Sequence, residues 1–285
     1  VSAATMHRWY SGADGMGPAD MNSLEATIES IGYWNNGLPS WRHACDFVAT
    51  GALPEGAASK PSPQLLPANE RRRAPESVAV ALEVALAACT AAGRDPATLP
   101  SVFTSTHGDL SITDYTCATL ASDPAAISPT KFHNSVHNAG AGYWTIGTGC
   151  MAPSTALTAW HGTFEMGLLE AATQVHAEGE PVLLVAYDIE ARGPMATVTH
   201  SRGLFGVAMV RGPGEAARRG PQLALEFGGA NGREPSAARS ANAALVDGNA
   251  LAGALPLYEA MALAQPARIV LAAGGASLLA IELRP

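Results

Sequence analysis

An α/β fold is what this sequence predicts, and three observations carry that expectation. Helix-forming and strand-forming runs alternate between residues 77 and 188, a pattern that favours a mixed or parallel sheet layered with helices. Val182 to Ala186 is an apolar run of buried-strand length. With 47% hydrophobic and 15% charged residues in a chain of 285, the composition is well mixed and the length suffices for one large core. A single domain spanning 1–285 is therefore expected.

Taken in order, residues 1–70 mix Trp9, Trp34 and Trp41 with many Gly and Pro, and the tryptophans read best as core residues. Gly51 to Ala68 is rich in Pro, Gly and Ala and reads as an exposed loop. Arg71, Arg72 and Arg73 precede Ala74-Pro75-Glu76, with Pro and Glu in the first turn of a helix that continues from Ser77 to Ala92 and stops at Gly93; Val78, Leu82, Ala85 and Leu86 give its buried stripe. Ser101 to Ser105 reads as a strand, Thr106 to Asp109 as a turn, and Ser111 to Ala121 as a second helix with Asp109 or Ser111 near its cap.

The central stretch runs from Ser128 to Asp188. Pro153 to Thr158 reads as a strand, Trp160-His161-Gly162 as a tight turn, Thr163 to Glu178 as an amphipathic helix, and Val182 to Ala186 as the next strand. A strand, elbow and helix in this order lift one side chain clear of the sheet while the helix aims its N-terminal amides at the same spot, a geometry used to activate nucleophiles in acyl transfer. His161 is placed at the tip, where neither Cys nor Ser stands.

This stretch resembles the N-terminal half of beta-ketoacyl synthases, the condensing enzymes of fatty-acid and polyketide assembly. The matches are Ser128-Pro129, Asn134-Ser135, Asn138, Gly142, Ile146, Gly149 and Pro153. The resemblance implies a thiolase-like layered α/β/α fold. Carried on without a gap, its register sets the family's nucleophilic Cys at His161. A rival register rests on Thr148-Gly149-Cys150, which locally resembles the Thr-Ala-Cys of those synthases, and it requires Gly142 to Gly147 to be the strand.

Past Asp188, Gly193 to His200 reads as a loop, Leu204 to Val210 as a strand resembling the one that closes the first half, and Arg211 to Gly220 as a polar connection. Residues 1–212 thus form an N-terminal half and 220–285 a shortened C-terminal one. The latter contains no histidine, whereas the resemblance calls there for two assisting residues. It reads as a strand at Leu223 to Phe227, a helix at Leu251 to Leu263, and strands at Arg268 to Ala272 and Ser277 to Leu283 around a turn at Gly274-Gly275.

The match is nearest to short ketosynthase-like proteins of aryl polyene clusters that resemble chain-length factors. It implies a catalytically silent subunit that pairs with an active ketosynthase as a heterodimer and helps shape the acyl tunnel at their interface. The alternative is a free-standing acyl-transfer enzyme with Cys150 as nucleophile and His133 or His137 as base. Arg71, Arg72 and Arg73 offer a contact for an acidic acyl carrier protein or another partner, and read equally as a solvated helix entry.

A net charge of −8 argues against a nucleic-acid partner. Cys45, Cys89, Cys117 and Cys150 lack C-x-x-C spacing and read as thiols of a cytoplasmic protein, and no membrane span or signal peptide is read. His133 and His137 stand four apart, but no third ligand is nominated, so neither a metal nor a cofactor is expected.

Overall fold

A computed structural model describes residues 23–199, 201–213, 220–230 and 232–285. One eight-stranded mixed sheet runs through it in the order β3-β2-β4-β5-β1-β6-β8-β7. Its strands are β1 (Leu24–Asn35), β2 (Ser101–Thr104), β3 (Ser154–Leu157), β4 (Val182–Asp188), β5 (Phe205–Gly212), β6 (Gln222–Gly229), β7 (Ala267–Ala272) and β8 (Ser277–Arg284). β3, β2 and β4 are parallel and every other neighbouring pair is antiparallel.

The helices are α1 (Trp41–Thr50), α2 (Ala68–Arg71), α3 (Glu76–Ala92), α4 (Leu110–Ser122), α5 (Pro129–His133), α6 (Ala139–Thr148), α7 (Thr163–Glu178), α8 (Asn242–Leu245) and α9 (Leu255–Ala262). Two apolar clusters build the layers. One joins α3 and α6 to one face of β1, β2, β4 and β5. The other gathers α1, α7 and α9 with side chains from every strand except β3. Because α3 lies against β1, β4, β5 and α6, it is buried nearly all round, with Val80, Ala81 and Val84 inside beside the expected Val78, Leu82 and Ala85.

The layered α/β expectation holds, and several local expectations are corrected. Residues 1–70 contain a twelve-residue strand, β1, and the helix α1, capped by Ser40, whose side chain accepts from the His43 amide. Trp34 is buried, Trp41 packs half-buried against Tyr33 and Tyr258, and Trp9 lies outside the described residues. Pro75 is the N-cap of α3 rather than part of its first turn. Gly193 to Thr197 forms a 3₁₀ turn within the expected loop, and His200 lies outside the described residues. Arg211 and Gly212 belong to β5, not to the connection after it. The expected helix at Leu251 to Leu263 divides into a 3₁₀ turn, Ala252–Ala254, and α9. β7 and β8 form the anticipated antiparallel hairpin, with Gly274 and Gly275 both at positive φ.

Among the described residues, no helix is long and apolar enough to cross a membrane.

Candidate functional site

The parallel strands β3, β2 and β4 end together, and the carboxyl ends of parallel strands are where open α/β sheets carry their sites. At this end the chain leaves β3 through an elbow fixed by its own hydrogen bonds. Thr158 Oγ1 donates to the Thr106 carbonyl at 2.9 Å, and Thr163 Oγ1 donates to the Trp160 carbonyl at 2.7 Å while accepting from the Ala159 amide at 3.0 Å. Trp160 is held left-handed, at φ 53. Such backbone at a bulky side chain is costly and persists only where its surroundings impose it. The sharp point of the elbow is therefore Trp160, one residue before His161, which is exposed beside it in the 3₁₀ turn Trp160–Gly162.

Gly162 explains how the elbow sits against the C-terminal half. A Cβ there would stand 2.3 Å from the Ala273 carbonyl oxygen at the β7–β8 turn, so only glycine admits this approach.

Around the tip lie histidines and buried acids. The Trp160 indole meets the rings of His107 and His161 edge-on, with centroids 5.1 and 5.2 Å apart. His107 pairs through Nε2 with Thr199 Oγ1, and burial, reinforced by His137 and His161, holds its pKa below the usual histidine value. His137 Nε2 donates to the Ser105 carbonyl at 2.8 Å. Beneath them Asp188, which ends β4, accepts from Ser105 Oγ at 3.0 Å, Thr106 Oγ1 at 2.8 Å and the Thr106 amide. Burial pushes its carboxyl up to about 6, and the hydrogen bonds from Thr106 and Ser105 pull the other way. Glu165, in the first turn of α7, is 3% exposed and makes no side-chain hydrogen bond to another of the described residues; burial raises it to about 7. His161, Asp188, Glu165, Thr104, Thr106 and Gly253 line a cavity with room for about one water.

The Cys150 register does not survive. Gly142 to Gly147, the strand it needs, lies inside α6, and Cys150 follows that helix's left-handed cap, Gly149. The thiol is buried and donates to the Leu99 carbonyl at 3.5 Å, before β2 begins, whereas His137 bonds Ser105 after β2 ends. Six extended residues separate those anchors, about 20 Å, so Cys150 and His137 are not within hydrogen-bond reach. His133 and His137 share no helix face, because α5 stops at His133 and Asn134 caps it. His133 instead meets Tyr143 edge-on, 6.2 Å away. Among the described residues no group of three His, Cys, Asp or Glu is placed to hold a metal.

The three arginines also part company. Arg71 donates to the Leu66 carbonyl at 3.0 Å and Arg72 to Asn69, while Arg73 is exposed and lines a cleft with Lys131 and Arg192.

The family model for the beta-ketoacyl synthase N-terminal domain matches residues 47–252, which include the elbow, both buried acids and α3 to α7. The chain belongs to this family. Its ketosynthase fold is shared with solved structures of low sequence identity. A chain in the complex of the ketosynthase ApeO with its chain length factor ApeC, from Xenorhabdus doucetiae, superposes with a TM-score of 0.70 at 22% identity, over 91% of this chain and 99% of that one. A chain of the AntDE:AntF complex, a type II polyketide synthase carrier protein with its ketosynthase bound to the hexaketide, gives 0.70 at 11% identity over 93% and 99%. The ishigamide ketosynthase/chain length factor gives 0.67 at 15% over 91% and 99%. These matches span 99% of each of the three chains and so show no truncation of the C-terminal part. No curated protein matches the sequence.

Sequence reasoning located the ketosynthase elbow but missed Trp160, His107, Glu165 and Thr199. For Asp188 a signal was present: an acid closing the fully buried strand VLLVAYD needs a reason to be there.

Proposed function

We propose that this protein is a chain-length-factor-like subunit that pairs with an active beta-ketoacyl synthase and carries no condensing nucleophile of its own. The observation that carries this reading is the elbow itself, where Trp160 and His161 occupy the sharp turn and the nearest sequence candidate for a nucleophile, Cys150, is buried at the other end of β2. Among the described residues the Cys150 thiol bonds a carbonyl and no base, which leaves it a poor nucleophile, and a buried Cys is more often a small hydrophobe.

The partner surface fits the β3 edge of the sheet. β3 is a terminal strand with its outward side chains exposed, and Ile146 and Met151, which flank its approach, are 82% and 95% exposed. An unpaired edge beside apolar side chains is a natural template for another chain. Fold kinship with chains from ketosynthase–chain length factor complexes supports the same reading. Within it, Arg73 is the one of the three arginines best placed to meet an acyl carrier protein.

Co-expression with a ketosynthase encoded beside it tests the proposal. A stable heterodimer burying on the order of 2,000 Å² in total is expected, and Cys150→Ala is expected to leave partner-dependent elongation unchanged. Loss of turnover by a folded, partner-bound Cys150→Ala protein overturns the silent-subunit reading.

A further inference from the structure

The layer between the two halves contains a positive charge that no described residue balances. Arg211 in β5 is fully buried and continues the row Phe205, Val207, Met209 that faces α7 and α9. Its Nη1 donates to the Leu168 carbonyl of α7 at 2.8 Å. Its Nε and Nη2 have no acceptor, and the hydroxyl of Tyr258 on α9, itself fully buried, has no partner either. Arg211 and Tyr258 interact electrostatically, and the Tyr258 ring is otherwise surrounded by Tyr33, Trp41 and Phe164.

Buried polar groups in folded proteins find partners, and an isolated buried charge is far costlier to leave alone than a buried dipole. Neither group escapes by changing its own protonation. Burial brings the guanidinium down only to about 9, which leaves it charged at neutral pH, and pushes the phenol up, which keeps it neutral. A water molecule would satisfy hydrogen bonds but not the charge. What the place lacks is a compact counter-charge that accepts from several donors at once.

We propose that Arg211 and Tyr258 bind a small monovalent anion of chloride size, held by the Arg211 Nε–H and Nη2–H groups and the Tyr258 O–H. The anion joins β5 of the first half to α9 of the second through α7. It is a structural ligand, independent of any chemistry at the elbow.

The test is thermal unfolding of the full chain at fixed ionic strength, with sodium gluconate replaced stepwise by sodium chloride or bromide. The wild-type midpoint is expected to rise with halide and saturate, by about 2 °C or more. Arg211→Met, an apolar replacement of similar length, is expected to lose the halide dependence, and Tyr258→Phe to shift it to higher halide concentration. If Arg211→Met does not fold, Tyr258→Phe decides. A bromide-grown crystal should show anomalous density beside Arg211. A wild-type midpoint indifferent to the anion, a variant that keeps the full dependence, or a carboxylate or water in place of bromide overturns the proposal.

Discussion

Glu165 shows how strongly one buried carboxyl sets the response to pH. Its value in the folded protein is raised from 4.5 to about 7, chiefly by burial, so between those values the folded state binds more protons than the unfolded chain. Stability is then fully present below about pH 4.5 and is lost as the pH rises through 7. Asp188, raised from 3.8 to about 6, contributes with the same sign in a lower window. Glu165→Gln keeps the shape without the titration. Urea unfolding is expected to find it about 1–3 kcal/mol more stable than wild type at pH 8, with the gap closing toward pH 4; a gap independent of pH contradicts this assignment. Nothing in the local sequence announces such a group, since its cavity is closed by Leu251, Gly253 and Ala254, far along the chain. The left-handed turn of the elbow falls at Trp160, one residue before the expected His161, for a related reason. A tryptophan at positive φ is imposed by the contacts around it and leaves no mark in residue identity.

At the scale of elements, the readable ones were those with a single buried face or clear punctuation. The helix from Thr163 to Glu178 and the Gly-Gly hairpin of β7 and β8 came through with nearly correct ends. β1 did not, because it is buried on both sides over much of its length and its pairing shifts at Ile28–Ser30, which together erase the period-two alternation. The contact between elbow and hairpin can be tested at Gly162. Gly162→Ala drives a methyl group toward the Ala273 carbonyl and is expected to cost about 1–3 kcal/mol by chemical denaturation. An unchanged midpoint would show that the hairpin yields. At the β3 edge, Ile146→Glu or Met151→Glu is expected to leave the thermal midpoint of the isolated chain in place and to abolish co-purification with the proposed ketosynthase partner. Retained pairing would move the interface elsewhere.

For the molecule as a whole, the layered α/β architecture was legible because strand and helix alternate in the central stretch. The joining of the sheet was not. β1 pairs with β5 over Thr27–Asn35 and with β6 over Leu24–Thr27, so the strand at the start of the described chain links β5 and β6, with the strands beyond each, into one sheet. That has a cost during synthesis. Asn35 of β1 pairs with Phe205, some 170 residues downstream, and a ribosome adding roughly 5–20 residues per second takes about 10–30 s to cover that distance. Throughout that interval the strand is finished while both of its edges wait for neighbours not yet made, and the nascent protein depends on whatever shields it until they arrive.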